Sequence, residues 1–202
     1  MNIPKTPGQS LYLSSLNSVK PIIVSTGPAG CGKTMFACQV AAQNVHDNVH
    51  QRIVLTRPIV ATDEDMGYLP GDIDKKMEPW TKPMFEIFQN YFTMNKMDKV
   101  IEIEPLGYMR GRTFNNTFII ADEMQNSTKN QMKMILTRLG ENSKLVVTGD
   151  LEQSDLDPYN NGLFDLVTRL NGKELEYLDH VILENDDIQR HPAVSEVLDL
   201  YI

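Results

Sequence analysis

The chain has no long apolar run. Its longest uninterrupted runs, of which Phe118 to Ala121 is one, cover only four residues, whereas about 20 are needed to cross a bilayer. Residues 1–20 contain neither the apolar stretch of a secretory signal nor an Arg-rich amphipathic pattern. The sequence therefore predicts no membrane association and a cytoplasmic location.

Cysteine and positive charge are also scarce. Cys31 and Cys38 are the two cysteines, and on one helix, seven steps of 1.5 Å separate them by roughly 10 Å, beyond the reach of a disulfide. Asp and Glu number 27 against 19 Lys and Arg, which gives a net charge of −8. This balance argues against a protein that coats nucleic acid through net charge, although it leaves room for a local basic stripe.

Apolar stretches of strand length alternate with segments of helical spacing along the 202 residues. The predicted strands are Pro21–Ser25, Arg52–Thr56, Lys99–Ile103, Thr117–Ala121, Lys144–Thr148 and Leu178–Leu183. The predicted helices are Lys33–Asn44, Lys75–Tyr91, Lys129–Leu139, Gly162–Asn171 and Pro192–Tyr201. This alternation predicts one α/β domain, residues 1–202, with an open, mostly parallel sheet and helices on both faces. Ligands are expected at the carboxyl ends of the strands.

A glycine-rich segment follows the first predicted strand. Residues 27–34 match the Gly-x4-Gly-Lys-Ser/Thr pattern at every fixed position. Glycines let successive backbone N–H groups turn around a phosphate, and the helix that starts at Lys33 adds the positive end of its dipole. The predicted nucleotide-binding residues are Gly27, Pro28, Ala29, Gly30, Cys31, Gly32, Lys33 and Thr34. Lys33 is expected to contact the β- and γ-phosphates of ATP, and Thr34 to bind Mg²⁺.

Two carboxylates, Asp122 and Glu123, come directly after the fourth predicted strand. Asp122 is expected to hold Mg²⁺ through water, and Glu123 to polarise the water that attacks the γ-phosphate. An acidic helix N-terminus after a core strand is the structural alternative, but the upstream phosphate loop favours catalysis. After the next strand, Gln153 or Thr148 is expected to sense the γ-phosphate.

Several short segments together resemble the PhoH family of P-loop ATPases. They are Thr56-Arg57-Pro58, Gly67-Tyr68-Leu69-Pro70-Gly71-Asp72, Arg110-Gly111-Arg112-Thr113, Asp122-Glu123-Met124-Gln125-Asn126, Leu136-Thr137-Arg138-Leu139-Gly140 and Arg190-His191-Pro192. The resemblance covers nearly the whole chain and implies a RecA-like P-loop core, ATP hydrolysis and coupling to RNA, often in a hexameric ring. The chain is similar to the minimal core of this kind found in bacteriophages.

The sequence departs from the family pattern in two places, one residue and one three-residue segment. Cys31 stands where many members have a hydroxyl residue, which is expected to be harmless because this position contributes mainly its backbone N–H. Ala61-Thr62-Asp63 replaces a Glu-Ala-Gly segment, which puts in doubt any role for that loop taken from relatives.

Asp122-Glu123-Met124-Gln125 and the later Gly149-Asp150-Leu151-Glu152-Gln153 resemble the second and third motifs of superfamily 1 helicases. The chain is thus similar to the first core domain of those helicases. This resemblance implies that Gln9 reads the adenine edge through its amide and that Tyr12 stacks on the ring. A solvated surface Gln is the structural alternative for Gln9.

In those helicases a second core domain supplies an arginine to the γ-phosphate, and 202 residues are too few to contain it. A neighbouring copy is the expected source, which implies a homo-oligomeric ring with ATP at the subunit boundaries. Arg190 is the preferred arginine finger. Arg110 and Arg112 are alternative fingers or contacts for RNA phosphates, and each of these arginines has a helix cap or surface ion pair as its structural alternative.

Aromatic and basic residues mix in the segment from Leu69 to Tyr91, as they do in surfaces that bind single-stranded nucleic acid. Phe85, Phe88 and Tyr91 have helical spacing and are expected in the core. The remaining surface candidates are Lys75, Lys76, Trp80 and Lys82.

The sequence thus predicts an ATPase that uses ATP and Mg²⁺ and is coupled to binding of, or translocation along, single-stranded RNA or DNA. The alternative is a nucleotide-gated assembly protein in which ATP controls oligomerisation or a protein partner. A small-molecule kinase is disfavoured, because Glu123 is placed to activate water.

Overall fold

The computed structural model describes residues 3–59, residues 73–189 and residue 193. Within these ranges, six parallel strands form one sheet in the spatial order β3-β2-β4-β5-β1-β6. The strands are β1 (Ile22–Thr26), β2 (Arg52–Thr56), β3 (Ile101–Ile103), β4 (Thr117–Ala121), β5 (Lys144–Gly149) and β6 (Leu178–Ile182). The order places β5 between β1, which leads into the glycine-rich segment, and β4, which leads into Asp122.

Helices cover the sheet. They are α1 (Pro7–Leu16), α2 (Lys33–His46), α3 (Ile73–Phe88), α4 (Met94–Val100), α5 (Lys129–Leu136) and α6 (Gly162–Leu170). In the described ranges, no helix combines the length and the apolar character needed to cross a membrane.

Two hydrophobic cores lie on opposite faces of the sheet, because successive side chains of a strand point in opposite directions. On β4, Phe118 and Ile120 belong to the first core, which also contains buried residues of α1 to α4. Ile119 and Ala121 belong to the second core, which contains residues of α5 and α6. The continuous apolar sequence of β4 therefore reflects burial on both faces, as in other parallel sheets. The predicted open parallel α/β sheet is confirmed.

Several predicted bounds need correction. Lys99 and Val100 are the end of α4, so β3 begins at Ile101. The helix predicted to end at Leu139 ends at Leu136, with Thr137 as its C-cap. The helix predicted over Lys75–Tyr91 runs from Ile73 to Phe88.

The sequence prediction missed α1 and α4. In α1 the buried positions include the polar residues Gln9 and Ser15, so no clear apolar face marks this helix. Its start does carry a local signal, because Thr6 caps it by accepting a hydrogen bond from the Gln9 N–H. The last predicted helix, Pro192–Tyr201, lies outside the described residues apart from residue 193.

Candidate nucleotide site

The glycine-rich segment forms a loop between β1 and α2. Gly27, Gly30 and Gly32 all have positive φ angles, of 149°, 86° and 93°. At Gly27 a Cβ atom would lie 2.2 Å from the carbonyl oxygen of Leu183, so only glycine fits there. Gly32 precedes the first residue of α2, Lys33. The loop therefore brings backbone N–H groups and a helix N-terminus to the carboxyl end of β1, where an anion is favoured.

The Lys33 ammonium lies inside this loop. Its Nζ donates to the carbonyl oxygens of Gly27 at 2.6 Å and Pro28 at 2.8 Å, and it lies 3.5 Å from Sγ of Cys31. The buried Cys31 thiol itself donates to the Pro28 carbonyl at 2.9 Å. The Cys31 side chain thus makes contacts within the loop, whereas the sequence analysis expected this position to contribute mainly its backbone N–H.

The side chains of Thr34 and Asp122, the two predicted metal ligands, are in contact. The Thr34 hydroxyl donates to Oδ1 of Asp122 at 2.7 Å. The buried Thr148 on β5 donates its hydroxyl to the same oxygen. A hydroxyl and a carboxylate are hard oxygen ligands of the kind that Mg²⁺ takes, with water completing its coordination. The donor set therefore fits Mg²⁺.

Trp80 also contacts Asp122, a position that sequence reasoning missed. Its indole Nε1–H donates to Oδ2 of Asp122 at 3.2 Å, and the guanidinium of Arg57 lies 5.4 Å from the indole ring centroid. Trp80 is half-buried and packs against the core and Asp122, so it is not the free surface residue that the sequence predicted. Its contact with nucleic acid stays a prediction. The contact of Trp80 with Asp122 joins distant parts of the sequence, so no local sequence pattern predicts it.

Glu123 follows Asp122 in a left-handed conformation, with φ 53° and ψ 37°. Its side chain is exposed and accepts a hydrogen bond from the Gln125 amide at 2.5 Å. The Gln125 side chain is buried, and its oxygen accepts from the Asp150 N–H at 3.1 Å. Gln125 thereby connects the predicted base to the turn after β5. Sequence analysis used Gln125 only as part of a motif and assigned it no role.

The two candidate sensors, Thr148 in β5 and Gln153 after it, differ in placement. Thr148 touches Asp122 directly. Gln153 is exposed on the turn that follows β5, and among the described residues no side-chain hydrogen bond connects it to Lys33, Asp122 or Glu123. The structure thus brings Thr148, but not the Gln153 side chain, into contact with the site.

Gln9 reaches the phosphate loop from α1, but its amide is already hydrogen-bonded. Nε2 donates to the carbonyl oxygens of Cys31 at 3.2 Å and Asp187 at 3.1 Å, and Oε1 accepts from the Lys5 N–H at 2.9 Å. Gln9 lines a cavity of about 580 Å³ together with Gly30 and Gly32 of the loop. Adenine recognition by Gln9 stays a prediction and requires exchange of these bonds.

Tyr12 is completely buried and donates to the Lys33 carbonyl at 3.1 Å. Burial raises the pKa of its phenol well above the usual range, so it remains a neutral donor. The prediction that Tyr12 stacks on adenine is wrong, because its ring belongs to the core.

The predicted arginines have different surroundings. Arg112 pairs with Glu102 at 2.7 Å and with Glu104, and its guanidinium lies 4.6 Å from the Phe114 ring centroid. These intrachain contacts make Arg112 a structural residue rather than a free contact for phosphate. Arg110 lines a separate groove, and Arg190 lies outside the described residues.

The segment predicted to bind nucleic acid is mostly a core helix. Phe88 is fully buried, and Phe85 and Tyr91 pack against the same core. Lys82 is exposed, and the side chains of Lys75 and Lys76 lie outside the described residues. Among the side chains that the structure describes here, the division between core and surface therefore follows the sequence pattern, apart from Trp80.

The chain is similar to known proteins over nearly its whole length. A family model described as PhoH-like protein matches residues 2–202. The chain is 43% identical over 209 residues to the protein PhoH of Escherichia coli K12 and 39% identical over 203 residues to a PhoH-like protein of Synechocystis sp.. Each match covers 98% of this chain but only 58% and 61% of the respective relative, so the chain spans about three fifths of these proteins.

A solved structure has a similar fold. The large terminase from a thermophilic bacteriophage superposes with a TM-score of 0.65 over 98% of this chain and 50% of the terminase chain. The two sequences are 13% identical over the match. This similarity supports the RecA-like P-loop fold.

Proposed function

Because the chain belongs to the PhoH-like protein family, we propose that it is a Mg²⁺-dependent ATPase that hydrolyses ATP to ADP and phosphate. The observation that carries this proposal is the 2.7 Å hydrogen bond between the Thr34 hydroxyl and Oδ1 of Asp122. It joins the phosphate loop to the strand end that also carries Glu123. A phosphate loop, a metal carboxylate and a base for water are the parts that hydrolysis of ATP needs.

Each residue then has a defined role. Thr34 and Asp122 would hold Mg²⁺, which when bound neutralises charge on the β- and γ-phosphates. Lys33 would exchange the carbonyls of Gly27 and Pro28 for phosphate oxygens, because charged acceptors form the stronger hydrogen bonds. Glu123 would accept a proton from the attacking water. The water oxygen bonds to the γ-phosphorus as the bond to the bridging oxygen breaks, and ADP leaves.

Replacement of the base tests this proposal. In Glu123→Gln, hydrolysis of ATP is expected to fall at least about 100-fold while nucleotide binding is retained, because the amide cannot take the proton. Glu141→Gln is the matched control, since Glu141 is exposed before β5, away from the carboxyl ends of the strands. Hydrolysis that survives Glu123→Gln would refute the role of Glu123.

The sensor and the adenine contact are further parts of the proposal. Thr148 and Gln153 remain the two candidates for the γ-phosphate sensor, and comparison of Thr148→Val with Gln153→Ala separates them. Gln9→Ala is expected to raise the KM for ATP more than the KM for GTP, if the Gln9 amide pairs with adenine.

We also propose that hydrolysis is coupled to binding of, or translocation along, single-stranded RNA or DNA. A groove of about 440 Å³ supports this coupling; its lining residues are Gly107, Arg110, Asn130, Gln131 and Met134. The described lining residues include no carboxylate, and the neighbouring Tyr108 is 61% exposed. The groove therefore offers a cation and amides beside an accessible aromatic ring. Single-stranded RNA is expected to stimulate hydrolysis in the wild type and to do so less in Arg110→Ala, with Lys173→Ala as the control.

An oligomeric ring, with six copies as the expected number, completes the proposal. A cavity of about 390 Å³ beside Gly27 and Pro28 carries the carboxylates of Asp150, Glu152, Glu184 and Asp186. This acidic rim would attract an arginine from a neighbouring copy, and Arg190 is the proposed donor. Light scattering of Glu123→Gln with ATP and Mg²⁺ tests assembly, and a monomer under these conditions would contradict it. The proposed location is the cytoplasm.

The second candidate function is nucleotide-gated assembly. The same acidic rim and the net charge of −8 favour it, because neither feature attracts nucleic acid. It predicts ATP-dependent oligomers and a rate of hydrolysis that does not change when RNA or DNA is added.

A further inference from the structure

A hydrogen bond joins Trp80 to Asp122, and the two carboxylate oxygens of Asp122 have different partners. Oδ2 accepts the indole N–H at 3.2 Å. Oδ1 accepts the hydroxyls of Thr34 and Thr148. The oxygen next to the phosphate loop is therefore Oδ1, and Trp80 holds the opposite one.

A second contact holds the indole in place. The guanidinium of Arg57 lies over the Trp80 ring, 5.4 Å from its centroid. Arg57 follows β2, whose last residue Thr56 accepts a hydrogen bond from the Asp122 N–H at 2.9 Å. Trp80 thus spans two residues that leave adjacent strands. Its face meets a cation and its N–H edge meets an anion, which is the arrangement that the charge distribution of an indole favours.

The side chain of an aspartate has a broad preference for its second torsion angle, so the plane of its carboxylate is set by hydrogen bonds. At Asp122, the Trp80 donor and the two threonine hydroxyls approach from different sides. Without the indole N–H, Oδ2 loses the hydrogen bond that the described residues give it, and only the two hydroxyls at Oδ1 still restrict the plane of the carboxylate.

We propose that Trp80 is a positioning residue of the magnesium site: by holding Oδ2 of Asp122, it keeps Oδ1 beside the Thr34 hydroxyl, where these two oxygens would hold Mg²⁺. This inference rests on the proposed function, because it presumes that Thr34 and Asp122 hold Mg²⁺. It also assigns a role to α3, which carries Trp80 to the site from the face of the sheet covered by α2.

The first test removes the N–H and keeps an aromatic face for Arg57. Calorimetric titration with ADP is repeated at a series of Mg²⁺ concentrations. It gives the Mg²⁺ concentration at which the increase in ADP affinity is half of its maximum. In Trp80→Phe this concentration is expected to rise about tenfold, the size of one hydrogen bond to a charged group, while ADP binding in EDTA is unchanged. Phe85→Leu is the matched control, since Phe85 lies on the same helix and contacts Phe88 rather than Asp122.

The second test uses the wild-type protein, whose single tryptophan is Trp80. Fluorescence emission of Trp80 is expected to change when Mg²⁺ is added to the ADP complex and to stay constant when ADP is added in EDTA. Asp122→Asn is expected to lose the Mg²⁺-dependent change.

The outcomes separate the two proposals. If the wild type binds no nucleotide in calorimetry, the proposed function itself fails. If Mg²⁺ tightens ADP binding equally in wild type and Trp80→Phe, or if Trp80→Phe needs less Mg²⁺, the positioning role is refuted and the proposed function stands. Trp80 emission that does not change when Mg²⁺ is added to the ADP complex also refutes the positioning role.

Discussion

The amide of Gln125 donates to Oε2 of Glu123 over 2.5 Å. The other end of the same side chain accepts the backbone N–H of Asp150, so the predicted base is fixed to the turn that follows the neighbouring strand. Because Glu123 is exposed, this bond supplies the orientation that packing does not. We therefore expect Gln125 to position Glu123, the proposed base, for the attack of water.

Loss of Gln125 is expected to lower turnover without weakening ATP binding. In Gln125→Leu, kcat falls about tenfold because Glu123 loses its orienting partner, while KM changes little. The variant also leaves the Asp150 N–H unpaired, so the free energy of unfolding drops by about 1–2 kcal/mol. Steady-state hydrolysis and urea unfolding measure both effects. Gln51→Leu is the control, since Gln51 is exposed just before β2, and an equal loss of turnover in Gln51→Leu would refute the specific role.

The backbone at Glu123 predicts opposite effects on stability and activity. A left-handed conformation costs a residue with a side chain about 1–2 kcal/mol, and Glu123 adopts it at φ 53°. Glu123→Gly removes this strain and is expected to raise the free energy of unfolding by up to about 1 kcal/mol, after the entropy cost of glycine. Glu123→Gln keeps the strain and leaves stability within about 0.5 kcal/mol of the wild type. Both variants lose hydrolysis. A Glu123→Gly variant less stable than Glu123→Gln would contradict the account.

Two arginines separated by one glycine are expected to behave differently. Arg112 pairs with two carboxylates and stacks over Phe114, so Arg112→Ala lowers the free energy of unfolding by about 1–2 kcal/mol, with part of the ion-pair energy already screened by solvent. Arg110→Ala leaves stability within about 0.5 kcal/mol. Thermal unfolding compares them directly. Equal destabilisation by the two changes would show that the ion pairs and the stacking of Arg112 contribute nothing.

Lys144 predicts a pH dependence of stability. Its buried Nζ donates to the carbonyls of Leu16 at 2.7 Å and Ser18 at 2.6 Å, and burial lowers the pKa of Lys144 from 10.5 to about 8. A neutral amine still has two hydrogens for these two acceptors, so deprotonation breaks neither bond.

Above this pKa the unfolded chain binds more protons than the folded one, so stability rises with pH. Relative to Lys144→Met, the wild type is expected to gain about 2 kcal/mol between about pH 7 and about pH 10. Chemical unfolding of both proteins across this range measures the gain. A constant difference between them would refute the lowered pKa.

The sequence predicted those parts of the molecule that local physics determines. The bounds of β2 and β4 match because a short apolar run between polar residues specifies a buried parallel strand. The loop from Gly27 to Thr34 was predictable because its spacing is fixed by the geometry of phosphate binding. The meeting of Thr34 and Asp122 followed from the rule that parallel strands end at one edge of the sheet.

The missed features depend on contacts between distant segments. Trp80 reaches Asp122 across 42 residues, and its contact depends on how α3 packs on the sheet. The helicase resemblance predicted that Tyr12 meets adenine. The helix α1 was not recognised, and within that helix Tyr12 faces the core. The role of Arg112 changed for a similar reason, since Glu102 and Glu104 come from β3 and the residues just after it.

Steady-state hydrolysis of ATP, measured with Mg²⁺ and with EDTA for the wild type, Asp122→Asn and Glu123→Gln, tests the central claim most directly. The account predicts phosphate release by the wild type only with Mg²⁺, and a loss of at least about 100-fold in each variant. Turnover in EDTA, or turnover that survives either substitution, would contradict the claim that Asp122 and Glu123 form the catalytic centre.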